Sequence, residues 1–404
     1  MAAQDRERID RNAKALAAEG LDAIVCALPA NVLLLSGYWP VVGTAIAAAT
    51  RDGGVGIAVP EDEKDLAADS WADVTRTFPG ASLDNLDSAV AAVRDPLREV
   101  ARCLGIRPGA TVGFEGGASF FPSTYASAFV YGAGIREVLN ASLAGAISVD
   151  ATELLARLRS VLTVRELGFV RRACQIAGEA YAAAAADIRV GMPEFEAAAI
   201  LRKRALAIGP QDERRTGFAY CMSGPDSYEA FAAFQRSRSR QIASGDFVLL
   251  HCNSSYRGYW TDVTRTYTMS APDADQMAIG SAVLEAGRRA IDAVRPGVPA
   301  CAVDRAAREV MESRGFGKAF KHATGHGVGF AAIDHNARPR IHPLSDEALE
   351  PGMVFNIEPA AYIEGIGGMR QCNMVAVTRD GAELLTGFQN TADELALDLS
   401  LAHR

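Results

Sequence analysis

The stretch LLHCNSSYRGYWTDVTRTY, residues 249–267, decides the fold of the second half of this chain. Its first residues, LLHC, are mostly apolar, and its last nine, YWTDVTRTY, are rich in β-branched and aromatic residues, while the middle, NSSYRG, is polar and carries a glycine. This pattern predicts a β-hairpin with strands at 247–252 and 259–269 and a longer loop between them. Outward from the hairpin, apolar spacing predicts helices at 164–188, 193–208, 274–294 and 302–314, and strands at 353–357 and 374–377.

The first 150 residues have a different sequence pattern, which predicts short strands alternating with helices. Strands are predicted at 21–27, 46–50, 55–59, 74–78, 111–114 and 136–139, and helices at 6–19 and 88–104. Such alternation is typical of an α/β layer domain. The composition changes near residue 150, so we expect an N-terminal domain over 1–155 and a second domain over 156–404.

Composition excludes several classes of protein. The 404 residues are 49% hydrophobic and 22% charged, as expected for an ordinary globular protein, and the formal net charge is −8. An acidic balance argues against nucleic acid or an anionic membrane as the main partner. The seven cysteines form no CxxC pair, and the charged N-terminus has no apolar signal core. A reduced, cytoplasmic protein without a membrane span is therefore expected.

Candidate chemistry concentrates in four segments of the second half. Five of the six histidines lie between residues 251 and 342. The segments are LLHCNSSYRGYWTDVTRTY (249–267), FKHATGHGVGF (320–330), GMVFNIEPAAY (352–362) and GGMRQCNMVAV (367–377). A single histidine is more often structural than catalytic, but a cluster on strands and glycine-rich turns favours a site.

These segments, in this order and spacing, resemble the pita-bread metallopeptidase family, which includes prolidase, aminopeptidase P, methionine aminopeptidase and creatinase. NVLLLSGY in the first third resembles the creatinase-type N-terminal domain. The resemblance covers nearly the whole chain. It implies an α/β N-terminal domain followed by an α+β pita-bread catalytic domain.

The resemblance also implies a metal centre. Metal-binding relatives hold two divalent ions with Asp, Asp, His, Glu and Glu. Three of these positions are intact here as Asp262, His326 and Glu358. The first Asp position is His251, and the last Glu position, two residues after Arg370, is Cys372.

The remaining positions of the family pattern are partly kept. His322 and Tyr362 fit it directly, and with His335, Glu358 and Arg370 they form the candidate catalytic set. The substrate-facing histidine of aminopeptidase P and creatinase corresponds to Phe234. His335 lies two residues later than the usual second histidine. The candidate substrate-binding residues are Phe234, His251, Trp260 and Phe330.

Charge arithmetic limits the number of metal ions. Asp262 and Glu358 supply two negative charges, and a Cys372 thiolate would supply a third, against +4 for two ions. Burying uncompensated charge is costly, so at most one divalent ion is expected, Zn, Mn or Co, or none. Imidazole and thiolate at 251 and 372 suit Zn²⁺ better than harder ions. Both residues are equally well explained as buried core residues.

Several functions remain open at this point. The first hypothesis is a hydrolase of a C–N bond in a small polar substrate, with an amide or amidine preferred to an ordinary peptide. The alternatives are an Xaa-Pro dipeptidase or aminopeptidase, a metal-free creatinase-like hydrolase, a lyase, and an inactive binding module. The resemblance further implies a homodimer, with Trp39-Pro40 and Gly116–Tyr131 as candidate contact segments.

Overall fold

The computed structural model describes residues 4–40, 45–80, 82–117, 132–208, 215–231, 237–334 and 336–397. The chain forms two compact units, Met1–Arg159 and Ser160–Arg404, where the sequence predicted a boundary after residue 155. All seven cysteines are free thiols. Among the described helices, none combines the length and the apolar character needed to cross a membrane.

The first unit is a mixed sheet covered by helices. Its helices and strands are α1 (Arg6–Ala18), β1 (Ala23–Cys26), α2 (Pro29–Ser36), β2 (Ile46–Thr50), β3 (Val55–Pro60), α3 (Lys64–Ala67), β4 (Val74–Phe78), α4 (Ala89–Cys103), β5 (Thr111–Phe114), α5 (Gly132–Ser142), β6 (Ile147–Asp150) and α6 (Thr152–Ser160). The strand order is β4-β3-β2-β1-β5-β6. Strand β1 is fully buried and pairs antiparallel with β2 and parallel with β5.

The predicted strand at 136–139 is wrong, because these residues belong to helix α5. Ile135, Val138 and Leu139 are buried in the same core as Leu97 of α4. Their spacing of three and four residues is that of one helix face. The four-residue segment is too short to separate this period from the alternation of a strand.

The second unit carries the four segments singled out above. Its helices and strands are α7 (Val164–Ala185), α8 (Glu194–Ala207), β7 (Gly217–Ser223), β8 (Phe247–Tyr256), β9 (Tyr259–Trp260), β10 (Val263–Thr268), α9 (Ala274–Ala293), α10 (Ala300–Ser313), β11 (Val354–Ile357), β12 (Ala360–Ile363), β13 (Gly367–Arg370), β14 (Asn373–Val377) and β15 (Ala382–Leu384). Its sheets are β10-β8-β7, with β9 also paired to β8, then β11-β14-β15 and β12-β13.

The predicted hairpin at 247–269 exists, but its loop is shorter than expected. Strand β8 continues to Tyr256 and turns through Arg257 and Gly258, whose φ angles are 52° and 84°. Two consecutive positive φ angles are typical of the tight two-residue turns that join twisted strands. The hairpin then breaks at Thr261 and Asp262, before β10 begins. This break places Asp262 at the end of a strand.

A helical layer supports these strands from one side. Helices α9 and α10 pack together, and their buried face includes Val283 and Met311. The same apolar core contains Phe355 and Ile357 of β11 and Val375 of β14. Because side chains alternate along a strand, Asn356 points away from this core, toward the site described next.

Candidate active site

Strand pairing brings the first part of the site together. Register places Thr264 of β10 opposite His251 of β8. The backbone N–H of Cys372 donates to the carbonyl oxygen of Thr264 at 3.1 Å, so Cys372 joins the other edge of β10. Residues separated by more than a hundred positions thereby meet around Asp262, which is 2% exposed.

Asp262, His326 and Glu358 form a compact charged group. His326 Nε2 lies 3.3 Å from Asp262 Oδ2 and 3.9 Å from Glu358 Oε1. The Glu358 backbone N–H donates to the carbonyl oxygen of Thr324 at 2.8 Å, which holds the strand end beside the glycine-rich turn. That turn needs glycine, because a Cβ on Gly325 would lie 1.9 Å from the carbonyl oxygen of Asn356.

Burial and ion pairing act in opposite directions on these three groups. Burial opposes charge on Asp262 and on His326, but neighbouring groups outweigh it. For Asp262 these are His251, His326 and Arg370, and for His326 they are Asp262 and Glu358. The pKa of Asp262 is lowered to about 2, and the pKa of His326 is raised to about 9. For Glu358 burial dominates and raises the pKa to about 7, although His326 and Arg370 partly offset it. Near neutral pH, Glu358 can therefore take up or release a proton.

His251 is committed to hydrogen bonds through both ring nitrogens. Its Nδ1 lies 2.9 Å from Thr264 Oγ1 and 3.2 Å from Arg370 Nη2, and its Nε2 lies 2.5 Å from Asn253 Oδ1. Because a guanidinium only donates, Nδ1 accepts, so we assign the proton to Nε2. Burial lowers the pKa of His251 to about 4, so the ring is neutral. In this state both nitrogens of the His251 ring are engaged, so neither is available to bind a metal ion.

Cys372 is a buried thiol beside the same aspartate. Its Sγ donates to the carbonyl oxygen of Asp262 at 3.0 Å and lies 3.7 Å from Asp262 Oδ1. Burial and the charge of Asp262 raise the pKa of the thiol well above its ordinary value. As the side chains stand, Cys372 is protonated and serves as a hydrogen-bonding core residue.

Asn356 is a residue of the site that sequence reasoning missed. Its Oδ1 accepts from the His326 backbone N–H at 2.7 Å, while its Nδ2 lies 3.1 Å from His326 Nε2 and 3.4 Å from Cys372 Sγ. The amide is fully buried and links the two halves of the site. Alternation along β11 places residues 356 and 358 on one face, which is the signal that could have identified it.

Arg370, Tyr362 and His322 form a second, adjoining group. Arg370 Nη1 donates to Tyr362 Oη at 3.4 Å, and that hydroxyl lies 3.0 Å from His322 Nε2. Arg370 Nη2 also donates to Tyr220 Oη at 2.5 Å. Burial raises the pKa of Tyr362 above its ordinary value and lowers that of His322 to about 4. The predicted catalytic residues His322, Arg370 and Tyr362 thus lie in one hydrogen-bonded network, to which Tyr220 adds a member. Glu358 belongs to the first group, and Arg370 acts on it through charge.

The other predicted site residues have less direct placements. Trp260 donates its backbone N–H to Gly329 at 2.7 Å, and Phe330 packs its ring 5.3 Å from that of Tyr259. Both residues therefore lie on segments that lead into the site. Phe234 and His335 lie outside the described residues, as does most of the candidate contact segment 116–131.

Asp262, His326 and Glu358 carry the donor groups that a divalent ion could use. Two carboxylates and an imidazole converge at Asp262, His326 and Glu358, and these are ordinary ligands of Zn²⁺. A second position would depend on His251 and Cys372, which are engaged as a neutral ring and a thiol. As the side chains stand, no three His, Cys, Asp or Glu residues within the described ranges are arranged to hold an ion.

Comparison with known proteins matches both units of the chain. Residues 168–379 match the model of metallopeptidase family M24, and residues 8–161 match the creatinase/prolidase N-terminal domain. The chain belongs to metallopeptidase family M24. The predicted family and the predicted fold class are therefore confirmed, and so is the prediction that the protein is an enzyme of the hydrolase class.

Individual relatives of this M24 protein agree along nearly its whole length. The Xaa-Pro dipeptidase of Pyrococcus furiosus is 28% identical over 382 residues, which cover 94% of this chain and 98% of the relative. The prolidase structure from Pyrococcus horikoshii OT3 has a TM-score of 0.72 at 26% identity, covering 94% and 98%. The dipeptidase PepE structure from Mycobacterium ulcerans has a TM-score of 0.73 at 27% identity, covering 97% of each chain.

Proposed function

We propose that this M24 protein hydrolyses the amide C–N bond of a short peptide at the group formed by Asp262, His326 and Glu358. The observation that carries the proposal is the convergence of two carboxylates on His326 Nε2, at 3.3 and 3.9 Å, in a buried site. Ionisable groups with strongly shifted pKa values in such a position are typical of catalytic sites.

A peptide substrate is the choice that the relatives support. The proteins similar to this chain carry the names Xaa-Pro dipeptidase, prolidase and dipeptidase. The preference for a non-peptide substrate, drawn from the sequence, has no support from these comparisons. Dipeptides, with Xaa-Pro dipeptides first among them, are therefore the substrates to test first.

Asp262, His326 and Glu358 are the residues that would hold a divalent ion. Such an ion, when bound, supplies a Lewis acid that polarises the amide carbonyl and acidifies water. Zn, Mn and Co are the candidates, in a stoichiometry of at most one per chain. Neither the neutral His251 ring nor the Cys372 thiol is available to hold a second.

The chain's own residues supply acid–base chemistry and orientation. Glu358 accepts the proton of the attacking water and returns it to the leaving nitrogen. Its pKa lies near 7 when no ion is bound. Asp262 stays ionised, and without an ion its Oδ2 lies 3.3 Å from His326 Nε2. Tyr362 donates its hydroxyl proton to His322 Nε2 and accepts from Arg370, which fixes the orientation of both groups.

A panel of dipeptides with added Mn²⁺, Co²⁺ or Zn²⁺ tests this function. We expect hydrolysis of at least one dipeptide and a loss of roughly 100-fold or more in kcat for Glu358→Gln, because general acid–base catalysis contributes factors of this order. Glu350→Gln serves as the matched control, because Glu350 is an exposed residue outside the site. No turnover of any dipeptide by folded, metal-supplemented protein would contradict the proposal.

A small non-peptide amide or amidine is the second candidate substrate. It is favoured by one observation, the hydrogen-bonded His251 and Cys372 beside Asp262, which departs from the carboxylates that the resemblance implies. Turnover of such compounds without turnover of dipeptides would select it.

The homodimer and the cytoplasmic location stay predictions, and light scattering at micromolar concentration tests the first.

A further inference from the structure

Helix α10 carries a carboxylate, that of Asp304, on its apolar buried face. Asp304 is fully buried. The other buried residues of the helix are apolar and belong to the core shared with α9 and β11: Ala300, Val303, Ala307, Val310 and Met311. Burying an ion pair costs desolvation, and apolar residues of similar volume are often as stable or more stable in its place. Stability alone therefore does not account for a charge at this position.

The Asp304 carboxylate receives four hydrogen bonds. The backbone N–H and the hydroxyl of Thr324 donate to Oδ1 at 3.0 and 2.8 Å. Arg308, one turn further along α10, donates through Nε to Oδ2 at 2.6 Å and through Nη2 to Oδ1 at 3.2 Å. These bonds join α10 to the segment that leads to His326.

Arg308 extends the same connection to His322. Its Nη2 donates to the carbonyl oxygen of His322 at 2.6 Å, and its guanidinium lies over the Phe320 ring, 4.5 Å from the centroid. Because Asp304 holds this guanidinium by two bonds, the position of the His322 backbone depends on both members of the ion pair.

The segment held in this way has no regular secondary structure. Residues 320–328 belong to neither a helix nor a strand, and their backbone makes isolated bridges, including Gly325 with Ile341 and Gly327 with Phe355. Side chains on such a segment take their positions from individual hydrogen bonds. Groups on a rigid helix that supply these bonds therefore set the geometry of the site.

Thr324 transmits the constraint to a second part of the site. Its N–H donates to Asp304, while its carbonyl oxygen accepts the Glu358 backbone N–H at 2.8 Å. The His322 ring, in turn, lies 3.0 Å from the Tyr362 hydroxyl through Nε2. Asp304 thus reaches the backbone of Glu358 through Thr324 and that of His322 through Arg308.

We propose that Asp304 is a positioning residue of this site. Together with Arg308 it fixes the backbone of residues 322–324, and this fixes where the side chains of His326 and Glu358 meet. The inference rests on the proposed function, because the geometry it concerns is that of the hydrolytic group. Misplacing a reacting group by about 1 Å can lower the rate by a factor of about 100. Asp304 therefore acts on kcat through the residues that it holds.

Asp304→Asn tests the inference, because it keeps the size of the side chain, removes its charge and replaces one acceptor by a donor. Asp292→Asn is the matched control. It also breaks an ion pair of aspartate and arginine four residues apart on a helix, but Asp292 pairs with Arg288 at 3.2 Å on α9, where both side chains are more than half exposed. Circular dichroism and thermal unfolding establish that each full-length variant is folded at the assay temperature.

The first readout needs no turnover. Histidine labelled with ¹³C at Cε1 gives one signal for each ring, and replacement of His322 and His326 by Gln assigns their two signals. The spectra are recorded in chelator, so that no ion holds the rings. We expect both signals to shift in Asp304→Asn and to keep their wild-type positions in Asp292→Asn.

The second readout is the division of the effect between kcat and KM. For a dipeptide that wild type hydrolyses, Asp304→Asn should lower kcat by roughly 10- to 100-fold, with KM changed by less than about twofold. A role in stability alone would lower the unfolding temperature and leave kcat per folded molecule unchanged.

Arg308→Lys decides the inference if Asp304→Asn does not fold. Arg308 is partly exposed, and a lysine keeps the positive charge without the fork of donors that binds Asp304 and the His322 carbonyl together. This variant should also shift the His322 signal and lower kcat.

Unmoved signals of both rings in a folded variant would overturn the inference, as would an unchanged kcat, a loss confined to KM, or equal effects in Asp292→Asn. If wild type hydrolyses no dipeptide or amide, the proposed function fails instead, and the histidine signals alone decide whether Asp304 positions the site.

Discussion

Replacing His251 by Asp together with Cys372 by Glu should create a second metal position. The structure shows why these two residues act as a pair. Asp262 Oδ2 faces His326 at 3.3 Å, whereas Oδ1 lies 3.7 Å from both His251 Nδ1 and Cys372 Sγ. Two new carboxylates would therefore meet at the Oδ1 side of Asp262. Oxygen ligands of this kind favour hard ions such as Mn²⁺ over the softer Zn²⁺.

The cost of the change in the absence of metal can be estimated from these distances. A pair of like charges about 4 Å apart repels by about 4 kcal/mol at an effective dielectric constant of 20. Uptake of a proton by one of the three carboxylates relieves part of this repulsion. We expect the free energy of unfolding in chelator to fall by roughly 3 to 4 kcal/mol. Ion binding at 100 times its Kd should recover about 2.7 kcal/mol of that loss.

Titration calorimetry with Mn²⁺ and Co²⁺ measures the stoichiometry directly. It should rise from at most one ion per chain in wild type toward two in the double variant, while native activity falls. The control is His251→Asn with Cys372→Gln, which has matching shapes without the charges and should gain no ion. Unchanged stoichiometry in a well-folded Asp/Glu variant would refute the placement of these two residues at a lost metal position.

Three further predictions concern stability. Gly325→Ala should lower the free energy of unfolding by about 3 kcal/mol or more, because its Cβ would lie 1.9 Å from a carbonyl oxygen. Gly168→Ala, on an open helix face, should instead stabilise the protein by up to about 1 kcal/mol. Thermal unfolding compares the two variants, and equal effects would contradict the clash. Burial keeps His251 and His322 neutral down to a pKa of about 4, so the folded state binds fewer protons than the unfolded state below pH 6.5. The free energy of unfolding should therefore fall as pH drops from 6.5 toward 4, by up to roughly 1.4 kcal/mol per pH unit for each ring. Glu358, whose pKa is raised to about 7, contributes in the opposite direction and offsets about one ring until the unfolded carboxyl is also protonated. Urea unfolding measures the net slope, and an equal slope in His251→Asn would argue against the contribution of that ring. Asn356→Leu leaves the buried His326 backbone N–H without its acceptor. It should lower the free energy of unfolding by about 1–3 kcal/mol in denaturant titrations. A change under about 0.5 kcal/mol would count against Asn356 as the link between the two halves of the site.

Local signals in the sequence were enough for the family, and they named three residues that the fold brings together at His326. Asp262 at the start of DVTRT, His326 in GHGVG and Glu358 before Pro359 each lie in a short motif whose residues adjoin in the chain. Periodicity was also enough for most helices and strands, because burial of one face leaves a regular pattern of apolar residues. It was not enough for the four residues 136–139, where strand and helix periods are indistinguishable.

The states of His251, Cys372 and Arg370 were decided by the tertiary structure. Burial keeps the His251 ring neutral, and its Nδ1 is engaged by Thr264, 13 residues away, and by Arg370, 119 residues away. The thiol of Cys372 finds its acceptor on Asp262, 110 residues away. A side chain's protonation and its freedom to bind a ligand depend on the groups packed around it and on its burial. Those neighbours come from strands that only the fold brings together, so the sequence supplies the donors but not their hydrogen bonds or charges.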